Sequence, residues 1–103
     1  MQDKILRKFF LGFIQMHILH HAKQEPFYGA WMIAELNEHG YDMSPGTLYP
    51  ILHSMESSGL MVMEEKIIEG KIRKYYKITE LGNEVLEQAR KKAYELFKEI
   101  KDE

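Results

Sequence analysis

The chain has no cysteine. A disulfide framework is therefore excluded, as is any thiolate metal site. No apolar run approaches the ~20 residues a helix needs to cross a bilayer. The first residues lack the layout of a signal peptide, because Arg7 and Lys8 lead into aromatic residues that look helical. Cytoplasm is the default compartment on that reading, and no membrane partner is expected. There is no internal repeat and no low-complexity tract. Catalytic constellations are missing too: no nucleophile–base pair, no phosphate-cradling glycine loop and no close acidic pair in a plausible pocket. Glu64 and Glu65 fall on an expected strand and point to opposite faces. An enzyme is not expected, and neither is a cofactor.

Net charge is also small, at −2, and alone it argues weakly against nucleic acid. Its distribution says more. Lys71, Arg73, Lys74 and Lys77 lie together with no acidic residue among them, whereas Glu56, Glu64, Glu65 and Glu69 precede them against Lys66 alone. The length of 103 residues, 45% of them hydrophobic and 29% charged, fits one globular domain. A core of that size is modest, and burial against a second subunit would add to it.

The most informative stretch is Ser44-Pro45-Gly46-Thr47-Leu48-Tyr49-Pro50. Ser44 suits an N-cap, its hydroxyl accepting from an orphan amide of the first turn. Pro45 suits the first helical position. Leu48, Ile51, Leu52 and Met55 recur at the spacing of one buried face. Gly59 followed by Leu60 ends the helix with a left-handed residue and an apolar one behind it. The opposite face carries Gly46, Tyr49, Pro50, His53 and Ser57, with Thr47 and Ser54 flanking. It is small, polar and nearly uncharged where an ordinary solvated face would carry Lys and Glu. Such a face suits a helix laid in the major groove of double-stranded DNA.

Around it, Asp3 is placed to cap a first helix running to about His21. From Phe9 to Leu19 that helix is apolar nearly all round, so part of it is expected to pack on another subunit. Lys23 to Pro26 reads as a loop. A second helix is expected from about Tyr28 to His39, with Gly29, Met32, Ile33 and Leu36 inward. Gly40-Tyr41 ends it in the same way that Gly59-Leu60 ends the next. The short turn between makes a helix-turn-helix. Leu60–Ile68 and Ile72–Ile78 read as antiparallel strands joined at Glu69-Gly70. The basic cluster then sits on the second strand and at the hairpin tip, where it would reach phosphates beside the groove. Thr79 caps a last helix to about Ile100. Gly82, Leu86, Ala89, Ala93, Leu96 and Ile100 follow one another at four, three, four, three, four, a heptad seam for a partner helix. Val85 and Phe97 widen it.

These residues together resemble the PadR family of winged-helix transcriptional regulators. The likeness covers nearly the whole chain. It rests on Tyr28-Gly29, on Gly40-Tyr41 with Ser44 to Pro50, on Glu56, Gly59 and Leu60, and on Arg73-Lys74-Tyr75-Tyr76 with Ile78-Thr79-Glu80 and Gly82. The resemblance implies a homodimer on a pseudo-palindromic operator that usually represses and is often released by a small molecule or stress signal. The chain departs from the family at Ser54, where a basic residue is common, and at Ile72, where a proline is common. Trp31 stands where a polar or acidic residue is usual. With one long helix at the end and no further domain, it resembles the short subclass, which dimerises through its last and first helices.

The fold class expected is therefore mainly α with a small β-hairpin. Residues 1–78 would form the winged helix-turn-helix, with helix 3–21 also in dimerisation, and residues 79–103 the dimerisation helix. DNA contact is expected from Ser44, Thr47, Tyr49, His53, Lys71, Arg73 and Lys74. The dimer interface is expected at Phe9, Phe13, Leu86, Ala89, Ala93, Leu96, Phe97 and Ile100. A small planar or hydrophobic effector would lie between the subunits, near Phe9, Phe13, His17, Tyr94 and Phe97. No metal is part of this reading. The rival readings are a protein-interaction winged helix and a metal-responsive sensor using His17, His20 and His21. These three histidines fall at i, i+3 and i+4, with no obvious carboxylate group beside them except Glu25 nearby in sequence.

Overall fold

Glycines set where the two middle helices stop, and the placement of the recognition surface follows from that. The computed structural model describes residues 2–102. In chain order it runs α1 (Gln2–Gln24), β1 (Phe27–Tyr28), α2 (Gly29–Glu38), α3 (Pro45–Ser57), β2 (Met61–Ile68), β3 (Lys71–Ile78) and α4 (Glu80–Lys101). Gly40 and Gly59 have left-handed backbones, with φ of 89° and 81°. After α2 the Gly40 amide donates to the Asn37 carbonyl and the Tyr41 amide to that of Leu36. After α3 the Gly59 amide donates to Glu56 and the Leu60 amide to Met55. Both are the paired bonds of a Schellman motif, and both leave an apolar residue, Tyr41 or Leu60, packed on the core.

The turn between α2 and α3 is clamped by Asn37. Its Oδ1 accepts from the Met43 amide at 2.8 Å and its Nδ2 donates to the Met43 carbonyl at 3.2 Å. Met43 itself is buried, so the turn is held from both sides. Ser44 occupies the N-cap position of α3, and its carbonyl accepts from Thr47 and Leu48. Its hydroxyl, expected to cap an amide, is instead 3.3 Å from the Thr47 hydroxyl. Thr47 offers a competing side-chain partner on the same side of the first turn.

The core gathers Ile14, Ile18, Leu19 and Ala22 of α1, Met32 and Leu36 of α2, and Leu48, Leu52 and Met55 of α3, closed by Phe27, Met61, Tyr76 and Leu86. The largest members are fully buried, and each contributes roughly 1.5–3 kcal/mol by leaving water. Helix α1 runs past His21 to Gln24, and Asp3 lies inside its first turn rather than at the cap. There its charge still favours the helix N-terminus.

The hairpin turns at Glu69-Gly70, both left-handed at φ 52° and 78°, the conformation of a two-residue type I′ loop. A third strand was not expected. Phe27 and Tyr28 pair with Tyr76 and Tyr75, which makes the sheet order β1-β3-β2. Thr79 caps α4 as expected, its hydroxyl accepting from the Gly82 amide at 3.0 Å. Gly82 and Leu86 correct the seam. A Cβ at Gly82 would overlap the Leu60 carbonyl oxygen, and Leu86 is buried in the chain's own core. Gly82 and Leu86 at the start of α4 are thus taken up by their own domain, while Leu81 and Val85 beside them stay exposed.

Candidate nucleic-acid interface

Burial of Leu48, Leu52 and Met55 fixes which way α3 faces. Ser44, Thr47, Tyr49, His53 and Ser57 are thereby turned to solvent. Gly46 adds no bulk, and a Cβ there would meet nothing within 4 Å. The outer face is thus open to close approach, with hydroxyl, phenol and imidazole groups along it. Tyr49 is constrained among them. Its ring lies over Gly29 at the start of α2, where a Cβ would fall 2.5 Å from the phenolic oxygen and 2.8 Å from two ring carbons. The Tyr28-Gly29 step therefore makes room for a recognition-helix side chain.

The hairpin distributes its cations over two faces. Strand alternation puts Lys71, Arg73, Tyr75 and Lys77 on one side of β3, and Ile72, Lys74, Tyr76 and Ile78 on the side that carries the core. Lys74 pairs across the ladder with Glu65, and Arg73 with Lys66. The Arg73 guanidinium stacks over the Tyr28 ring at 4.4 Å, and Lys66 over Tyr75 at 5.0 Å. Lys77 Nζ is 3.4 Å from a Glu64 carboxylate oxygen. Lys71 stands next to the turn, exposed, and takes part in none of these ion pairs or stacks. Ile67 and Ile72, directly opposite each other, leave an exposed apolar pair near the tip.

An exposed uncharged helix behind a clamped turn, with a cation-bearing hairpin beside it, is the layout of a winged helix. The profile of the Transcriptional regulator PadR-like family matches residues 18–88. The chain belongs to this family. It is 42% identical over 95 residues to the Mycobacterium tuberculosis protein named Transcriptional regulator Rv3488, covering 92% of this chain and 89% of that one. Among solved structures, it is similar to a PadR-like transcription factor from Bacteroides fragilis. The TM-score is 0.82 and the identity 28%, over 97% of this chain and 98% of the other. A PadR-like transcriptional regulator from Bacillus cereus gives a TM-score of 0.80 and 31% identity, over 96% and 94%. The chain is thus a regulator rather than an enzyme, and DNA binding comes with the PadR family. No helix among the described residues is long and apolar enough to cross a membrane.

Outside the winged helix, this PadR-like chain exposes large apolar side chains on two helices. On α1 these are Ile5, Leu6, Phe9, Phe10, Leu11 and Phe13, and on α4 Leu81, Val85, Tyr94, Leu96, Phe97 and Ile100. Ala89 and Ala93 are half-buried. Within one chain, the five residues expected around an effector between subunits do not share a single groove. Phe13 and His17 line a groove between α1 and α4 together with Met16, Leu86 and Arg90. Phe9, Tyr94 and Phe97 lie outside that groove and point to solvent.

The histidines regroup as well. His20 leaves the trio that the rival metal-responsive reading would use, its Nε2 lying 3.3 Å from the Gln24 amide nitrogen. Its place is taken by His39 at the end of α2, and the ligand atoms of His17, His21 and His39 lie within 4.8 Å of one another. The His17 and His39 rings are 4.5 Å apart, and Tyr41 meets His17 edge-on at 5.7 Å. Glu35 Oε2 is 2.9 Å from His39 Nε2 and 3.5 Å from His21 Nε2. Burial pushes the His17 imidazole below the usual histidine range, and His39 beside it adds to the effect. Burial also lowers His21, against an opposing pull from Glu35. Trp31 stands edge-on to His21 at 5.3 Å. His39 and Glu35 escape sequence reading because only the packing of α2 on α1 brings them to His17 and His21.

Proposed function

We propose that the protein is a homodimeric repressor that sets its two α3 helices in the major groove at the half-sites of a pseudo-palindromic operator. The observation that carries this reading is the pair of uncovered apolar surfaces. Phe9 is 62% exposed and Phe13 51% on α1, while Leu96 is 57%, Phe97 63% and Ile100 58% on α4. Aromatic and aliphatic groups at such density are costly to leave in water, and their burial would stabilise an association. Both helices join the winged helix at its core, so a dimer formed through them would hold two recognition helices at a fixed spacing. Two-fold symmetry in the protein then selects two-fold symmetry in the DNA. Thr47, Tyr49 and His53 would meet base edges, and Ser44, Lys71, Arg73 and Lys74 the phosphates. A small hydrophobic effector would enter between α1 and α4 beside Phe13 and His17 and release the DNA by altering the spacing.

Purified protein tests this when passed over fragmented genomic DNA and weighed by light scattering. A mass twice that of the 12.2 kDa chain, with retained fragments sharing an inverted repeat, is the expected result. A monomeric mass at micromolar concentration, or no enrichment of any sequence, would overturn it.

A further inference from the structure

We propose that His17, His21 and His39 form a binding site for a divalent first-row transition-metal ion, with Glu35 as its carboxylate partner. The site is built from two helical pairs. His17 and His21 are four apart on α1, and Glu35 and His39 four apart on α2, so each pair shares one helix face. The crossing of the helices turns both pairs toward each other, and the three imidazole ligand atoms fall within 4.8 Å of one another. Nitrogens bound to one ion at 2.0–2.1 Å in tetrahedral geometry stand about 3.4 Å apart. Small rotations of half-buried or exposed rings close that difference.

Glu35 supplies what such a site needs next to its ligands. Its Oε2 lies 2.9 Å from His39 Nε2 and 3.5 Å from His21 Nε2, so the carboxylate stands beside two of the three rings and accepts from the ring nitrogen that carries a proton. A carboxylate behind a ligating imidazole fixes the tautomer and raises its basicity. It also brings a negative charge toward an otherwise neutral ligand set. Three imidazoles with no thiolate select zinc, nickel, cobalt or copper over the oxygen-seeking magnesium and calcium. The fourth position is left for water. His20 contributes nothing, since it is drawn off toward Gln24.

The position gives the ion leverage. His39 is the C-cap residue of α2, next to Gly40 in the clamped turn that leads into α3. His17 and His21 are on α1. A bound ion would tie α1 directly to the turn ahead of the recognition helix, independently of how the chain binds DNA.

The test uses untagged full-length protein stripped with a chelator and titrated with Zn(II) and Co(II). Calorimetry should give one ion per chain, with a raised melting temperature. Co(II) should develop the visible absorption of a low-coordinate nitrogen-ligated ion. Trp31 is the single tryptophan, and its emission should respond, because its ring meets His21. His39→Gln and His21→Gln should each weaken binding about 100-fold or more, and Glu35→Gln by about 10–100-fold. His20→Gln and His53→Gln should bind as the parent does. Melts of the ion-free variants show whether each is folded, and a site spread over two helices gives two independent variants to compare. Absence of saturable binding overturns the proposal. So does a His20→Gln loss while His39→Gln binds as the parent does, which would place the ion on α1 alone.

Discussion

The phenol of Tyr49 on α3 rests on the backbone of Gly29 at the start of α2, so close that no other residue at 29 leaves the ring in place. Gly29→Ala sets a methyl group against the far end of an exposed ring that is free to swing outward. The stability of this variant should therefore stay within about 1 kcal/mol of the parent. Its DNA preference should change, because Tyr49 would leave its position on the outer face of α3. Tyr49→Phe keeps the ring seated and removes only the hydroxyl, so it should disturb preference less. Thermal melts alongside binding to a sequence pool separate the two effects. Unchanged preference in Gly29→Ala would mean that Tyr49 does not read bases.

Gly82 presents the opposite case. There the added Cβ meets the backbone carbonyl of Leu60 and the Ile78 side chain, and neither is a loose end. Leu60 is held by the bond its amide makes to Met55, and its carbonyl accepts from Thr79. Gly82→Ala should destabilise by about 2 kcal/mol or more through overpacking, lowering the melting temperature by roughly 10 °C. A melt within a degree or two of the parent would show that α4 slides without cost.

Leu96→Lys tests the proposed association without attacking the fold. Leu96 is exposed in the chain itself, and lysine is a good helix former. Far-UV circular dichroism should keep the helical signal while light scattering falls to the monomer mass, because the charge would lie unpaired across the two-fold. Dependence of the melting temperature on protein concentration should disappear with it. A variant that still weighs as a dimer would move the interface elsewhere.

Much of this architecture is written in local chemistry, and what is not local is lost to reading. Helix ends at Gly40 and Gly59 are legible because a left-handed residue followed by an apolar one has a single common use. The hairpin is legible because Gly70 can take the positive φ that a two-residue turn between apolar strands requires. Strand β1 is not, because two residues carry no period and Pro26 beside them reads as loop. The seam on α4 shows the other limit. Periodicity marks Gly82 and Leu86 as apolar-faced, but it cannot say that their own domain covers them while Leu96 and Ile100 stay free. The type of Ser44 suggests a cap, but its hydroxyl meets the Thr47 hydroxyl one turn on, a partner that residue type alone does not reveal. The histidine cluster depends on a helix crossing, so sequence spacing could supply only its α1 half.

The hairpin cations offer the finest division of roles. Lys71 stands exposed beside the turn, whereas Arg73 is stacked on Tyr28 and Lys74 faces Glu65 across the ladder. Lys71→Ala should weaken all DNA sequences alike and flatten the log–log salt dependence by about 0.9 per phosphate contact. With two copies in a dimer the change approaches about 1.8. Arg73→Lys keeps the charge but loses the flat stack on Tyr28, so the salt slope should hold while affinity falls. Glu65→Gln removes a negative charge opposite Lys74, and it should tighten binding to operator and scrambled DNA equally. In contrast, His53→Ala on α3 should narrow the gap between operator and scrambled DNA and leave the salt slope nearly unchanged. The measurement is affinity for both DNAs across a salt series for each variant. Should Lys71→Ala keep the parent's slope, the hairpin tip does not reach phosphate. Should His53→Ala keep the full preference, the readout lies with Thr47 and Tyr49 alone.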